Sequence, residues 1–138
     1  MTIVLEMPPS LGEVDPVVIS LKAQLEAALS EDKLSALEIA VTEALANAVK
    51  HGDTGSAGQP IRVVASIGEA EVRVEIIDAG RQGAVDLFKD VGDIAEVDPL
   101  AENGRGLSLI CHFVDGLRFE PAEGRNRLEL TFLREAGA

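Results

Sequence analysis

A chain of 138 residues, 46% hydrophobic and 26% charged, carries enough apolar material for one folded domain over 1–138 and is too apolar for a disordered chain. Its net charge of −12 argues against nucleic acid and anionic membrane surfaces, both of which select basic patches, and permits a basic protein partner. A single cysteine, Cys111, excludes an internal disulfide; with no secretory leader, repeat or bilayer-length apolar run to read, a cytoplasmic setting is expected.

In chain order, residues 2–6 read as a short strand stopped by Pro8-Pro9. Asp15-Pro16 has the form of an N-cap with proline at the first helical position, opening a helix to about Leu29 with Val18, Leu21, Leu25, Ala28 and Leu29 inward. Ser30-Glu31-Asp32 restarts the chain into a second helix from about Lys33 to His51, with Gly52 as its left-handed terminator. After a Gly/Ser/Thr-rich loop at 52–60, Ile61, Val63, Ala65 and Ile67 alternate with Arg62, Val64 and Ser66. Val72, Val74 and Ile76 alternate in the same way, and Gly68-Glu69-Ala70 joins the two strands as a hairpin. Residues 81–103 are irregular, with one helical turn near 85–88; so long a loop inside a compact domain is usually functional. Gly104-Arg105-Gly106 opens a third helix whose core face is Leu107, Ile110, Cys111 and Val114. Strands at 116–120 and 127–133, joined by a turn at 121–126, close the chain. The pattern predicts an α+β, two-layer sandwich: a mostly antiparallel or mixed sheet with three main helices on one face.

Three polar features stand at element boundaries. Glu43, Asn47 and His51 fall four apart and share one stripe of the second helix, well around from Leu34, Leu37, Val41 and Leu45. A carboxylate one turn before an amide pairs a proton acceptor with a hard cation ligand; the plain alternative is a solvated helix face. Asp78-x-Gly80 follows a strand, where the aspartate can accept a hydrogen bond from an exocyclic amine and the glycine admits a flat ring; the alternative is an ordinary Asp-Gly turn. Gly104-Arg105-Gly106 exposes amides before a helix N-terminus, which suits phosphate; the alternative is a flexible loop exit.

The order of all three is more specific than any one. Glu-x-x-x-Asn-Ala-x-x-His at 43–51, Asp-x-Gly at 78–80, a long intervening loop, and Gly-x-Gly-Leu at 104–107 resemble the Bergerat-fold (GHKL, histidine kinase-like) ATPases. Within that superfamily the compact chain resembles the bacterial anti-sigma factor serine/threonine kinases, which act in partner switching and stress response. The resemblance implies ATP and Mg²⁺ as cofactors, and a sigma factor and an anti-anti-sigma protein as partners. It implies Glu43 as general base toward an acceptor serine, Asn47 as magnesium ligand, and Asp78 and Gly80 around adenine. It places Gly104, Gly106 and Leu107 at the phosphate-binding helix start. Arg105 is the nearest cation to where a γ-phosphate would lie, which makes it the candidate charge clamp. His51 faces the phosphates or caps its own helix.

The family's usual Asp-x-Gly-x-Gly is altered here, since Gln82 stands at its last position and glycine comes only at Gly83. Three readings follow: an ATP-dependent anti-sigma kinase, a partner-binding regulator without effective kinase activity, and the ATPase half of a histidine kinase. The third is weakest, because no helix with a phosphoacceptor histidine is recognised ahead of the domain. The N-terminal strand offers an edge for homodimer pairing.

Overall fold

The computed structural model describes residues 1–51, 60–78, 110–122 and 125–134. Strand β1 (Thr2–Met7) leads through a 3-10 turn at Leu11–Glu13 into helix α1 (Val14–Leu25). Helix α2 (Glu31–His51) follows, then β2 (Ile61–Ile67), β3 (Glu71–Asp78), β4 (Gly116–Ala122) and β5 (Arg125–Leu133). Residues 110–113 are helical. The strands form one sheet in the order β1-β2-β3-β5-β4, and each neighbouring pair is antiparallel. The expected two-layer α+β sandwich is therefore what the chain forms, with no parallel pair among the described strands.

Period-two alternation builds the inner face of the sheet. Met7 pairs with Ile61, Val63 with Ile76, Ala65 with Val74, Val74 with Leu130, and Leu128 with Phe119. Because register carries alternation from strand to strand, these side chains all fall on one side, where Val63, Ala65, Val74, Leu130 and Phe132 are fully buried. Leu21 and Leu25 from α1, and Leu37, Val41 and Leu45 from α2, close the core from above. Ile110 and Cys111 from the helical stretch 110–113 and Val114 just after it join the core, as their spacing predicted; Leu107 lies outside the described residues. Burial pushes the Cys111 thiol up, so it stays protonated and behaves as a small hydrophobe.

The outer face is an ion-pair lattice. Glu75 and Glu129 are direct register partners, an arrangement that repels, and Arg127 lies 2.6 Å from the first and 3.8 Å from the second. Arg62–Glu6, Arg73–Glu71 and Arg118–Glu120 extend the lattice across all five strands.

Element ends moved in places. Asp15-Pro16 is not the N-cap pair of α1; Glu13 holds that position, with no side-chain capping bond, and Asp15 and Pro16 lie in the first turn. The preceding 3-10 turn already feeds the chain into helical conformation, and proline there sacrifices only an N–H that the first turn leaves unpaired anyway. Helix α1 stops at Leu25 rather than Leu29, where Ala28 and Leu29 both bond back to the Leu25 carbonyl; both remain buried. Helix α2 begins at Glu31, two residues early, because the Ser30 hydroxyl accepts the Lys33 N–H at 3.2 Å and Leu34 N–H donates to the Ser30 carbonyl at 2.8 Å. Where a turn was expected over 121–126, β4 runs on to Ala122 and β5 starts at Arg125, with Pro121 paired to Asn126 in the ladder. Pro121 is tolerated because β4 is an edge strand.

Candidate functional site

Topology directs the C-terminal end of α2 and the end of β3 toward the same edge of the sheet. Helix α2 ends at His51, and the chain re-enters the sheet at Ile61, the first residue of β2. There Arg62 pairs with Ile77, so Asp78 at the end of β3 sits at the edge toward which α2 runs. Helix α2 packs against β3 and β5, the central strand and its neighbour.

Within the C-terminal half of α2, Ala40, Ala44, Leu45 and Ala48 are buried, while Glu43 and Asn47 are both half-buried, one turn apart. A purely solvated face would leave them exposed as Ile39 and Glu31 are. They stand instead at the seam between core stripe and solvent. Among the described residues no side-chain hydrogen bond or ion pair holds either one. Asp78 is half-buried at its strand end, opposite Asn126 of β5. Gly80, Gln82, Gly83, Gly104, Arg105, Gly106 and Leu107 lie outside the described residues, as do the side chains of Lys50 and His51. Of the candidate residues, the structure thus describes the Glu43/Asn47 pair on α2 and Asp78 at the end of β3.

The opposite end of the domain is tied down. Asp115, just before β4, accepts from Lys33 Nζ at 2.7 Å and from the Leu133 N–H at 2.8 Å, while its own N–H donates to the Thr131 carbonyl at 2.8 Å. Desolvation opposes ionisation of Asp115; the Lys33 hydrogen bond, the Leu133 N–H and the Lys33 charge outweigh it and hold the carboxyl below the usual range. Arg134 donates to the Ala28 carbonyl at 2.9 Å and to the Gly68 carbonyl at 2.8 Å, joining the α1–α2 turn to the β2–β3 hairpin. Sequence reasoning missed both ties. Asp115 and Arg134 are lone charges at strand ends, and nothing in their local pattern reveals partners far along the chain.

Also missed was a groove between α1 and α2. Its floor is Val18, Leu29 and Leu34, and it opens to about 1180 Å³ along the outer side of the helical layer, ending at Thr42 and Glu43. Ile19 at 68% and Ile39 at 37% exposure stand in it; two apolar residues off the core stripe were the available signal. Among the described residues no helix is long and apolar enough to cross a membrane.

The histidine kinase-like ATPase domain family matches residues 7–132. The chain belongs to that family. Among its relatives is the serine-protein kinase RsbW of Bacillus pumilus, 33% identical over 99 residues, covering 67% of this chain and 61% of that protein. The anti-sigma F factor of Clostridium botulinum is 32% identical over 99 residues, covering 71% of this chain and 67% of the relative. The match to RsbW thus spans about three-fifths of that relative's length. The crystal structure of the RsbU and RsbW domains of a Mycobacterium tuberculosis protein superposes on 96% of this chain with a TM-score of 0.71, at 20% identity and over 32% of that chain. For this ATPase domain, the resemblance read from Glu43, Asn47, Asp78 and the glycine motif is borne out at the level of family and fold.

Proposed function

We propose that this single domain is an ATP- and magnesium-dependent protein serine/threonine kinase that binds a sigma factor and phosphorylates an anti-anti-sigma protein in the cytoplasm. The observation that carries the reading is the half-buried Glu43/Asn47 pair, set on the helix that runs toward the Asp78 end of β3. The names of the relatives, a serine-protein kinase and anti-sigma F factors, support it.

In this reading Asp78 accepts a hydrogen bond from the adenine amine beside Gly80. Gly104, Gly106 and Leu107 present the helix start to the phosphates, with Arg105 as charge clamp and His51 on the same stripe as Asn47. The Asn47 amide oxygen is a hard donor, half-buried, and fits a magnesium ion that keeps waters and phosphates as its other ligands. That ion, when bound, neutralises phosphate charge. The Glu43 carboxylate takes the proton of the acceptor hydroxyl as that oxygen bonds to the γ-phosphorus and the bridging oxygen leaves with ADP. Both phosphoryl donor and acceptor must meet near Glu43, and a rigid helix over the sheet supplies that positioning. As β1 is a sheet edge, homodimer pairing through it belongs to the same proposal.

Gln82, in place of the family's glycine, favours a second reading: partner binding without effective phosphotransfer. Transfer of labelled γ-phosphate to an anti-anti-sigma protein separates it from the kinase reading, whether that binding is nucleotide-gated or nucleotide-independent, and calorimetry with Mg-ATP on wild type and Asp78→Asn tests the nucleotide site. The kinase reading expects saturable binding that the substitution abolishes while the melting temperature without nucleotide holds. No heat of binding in the wild type rejects it.

A further inference from the structure

We propose that the α1–α2 groove is the docking track for a basic, amphipathic helix of a protein partner. The inference rests on the partner-binding reading above and assigns the surface on which it occurs.

The groove has the form such a helix needs. Two antiparallel helices leave a furrow between them, and α1, 12 residues long, gives it a length of about 18 Å at ~1.5 Å per residue. That matches about three turns of a third helix, which presents apolar anchors at i, i+3 or i+4, and i+7. The receiving surface is apolar at its floor and exposes Ile19 and Ile39 from opposite walls. An isoleucine with two-thirds of its surface in water, next to a second one across the furrow, has unburied area to offer a partner.

Charge selects the occupant. The rim carries Asp15, Glu26, Glu31, Glu38 and Glu43, against one lysine, Lys22, which Glu38 engages at 2.6 Å. A second copy of this chain brings the same acids against themselves, on a molecule already at −12. Lysines and arginines flanking the anchors of a foreign helix meet these carboxylates instead. The groove also ends at Glu43. A partner lying in it is delivered to the carboxylate assigned as general base, so docking and phosphotransfer share one line.

The test uses the full chain and a labelled synthetic helical peptide with leucines at i, i+3, i+4 and i+7 flanked by lysines. A twin peptide carries glutamates in place of the lysines. By fluorescence anisotropy the basic peptide should bind, and the acidic twin at least about tenfold more weakly. Ile19→Ser, at a solvent-facing position, should weaken the basic peptide about tenfold or more while leaving melting temperature and Mg-ATP binding unchanged. Glu26→Gln with Glu31→Gln should reduce its association rate and flatten the salt dependence. Equal binding of both peptides, or binding indifferent to Ile19→Ser and Ile39→Ser together, overturns the proposal. So does sedimentation showing a wild-type dimer that Ile19→Ser turns into monomer, since a second copy is then the occupant. Calorimetric ATP binding is read separately, so failure of the groove is distinguished from failure of the nucleotide site.

Discussion

The two halves of α2 are the same helix under different obligations. Its N-terminal half is fixed from several sides: the Ser30 cap, the Lys33–Asp115 pair and the Lys22–Glu38 pair. Its C-terminal half has the fully buried Ala40, Val41 and Leu45 beneath it, and carries Glu43 and Asn47 half-buried, without described side-chain partners. Anchoring polar contacts gather at one end, and two polar side chains without described partners stand at the other. A carboxylate already locked in an ion pair must break it to accept a proton; one left at the seam needs no such step. The difference teaches what the proposed site rests on: polar groups the described fold does not use, set beside a core that holds them still.

The sharpest way to break this comparison is Glu43→Gln. Phosphorylation of an anti-anti-sigma partner should fall by roughly 10²- to 10⁴-fold while Mg-ATP binding and melting temperature hold. A variant that transfers phosphate at the wild-type rate removes Glu43 from the chemistry and makes the C-terminal half merely polar. Next in size is Leu37→Ala, beneath the anchored half, where a fully buried side chain is lost. Urea unfolding should show a loss of about 2–5 kcal/mol, the range of buried leucine truncations. If nucleotide binding by the folded fraction fell as steeply, the two halves would not be separable.

Ser30→Ala should destabilise by about 1 kcal/mol through the lost cap, with nucleotide affinity unchanged. The smallest effect concerns pH. Because the Asp115 carboxyl sits lower in the folded chain than in the unfolded one, its contribution is present above the unfolded value and disappears as pH falls through the folded value. Asp115→Asn should therefore lose stability near neutrality but match the wild type in acid, so the two curves of unfolding midpoint against pH converge at low pH. Curves that stay parallel into acid would reject the ion pair as their cause.

How much of this was legible in the sequence follows from the range of each cause. Alternation in 61–67 and 71–77 and the leucine stripe of α2 are local, and they gave strands, helix and core almost as formed. The Glu43/Asn47 spacing is also local, because one helical turn separates the pair. What escaped reading was set by contacts between distant segments. Helix α2 gained its early start from Ser30, whose hydroxyl accepts the Lys33 N–H. Asp115 acquires its meaning from Lys33 and Leu133, and the groove exists only once α1 and α2 lie side by side. The expected loop at 81–103 and the Gly104-Arg105-Gly106 helix start lie outside the described residues.

The outer face of the sheet has a consequence for how the domain moves through solution. Four arginines are set there among five glutamates, so that broad face is close to electrically neutral. The helical face carries Asp15, Glu26, Glu31, Asp32, Glu38 and Glu43 against Lys22 and Lys33. Among the described residues, then, negative charge is gathered on one side, and that part of the molecule contributes a dipole across the thickness of the two layers. A positively charged body approaching from any direction exerts a torque that turns the helices toward it before contact. The arginine lattice behind the sheet thus gives the molecule a front and a back that a partner senses at the range of a Debye length, about 8 Å at physiological salt.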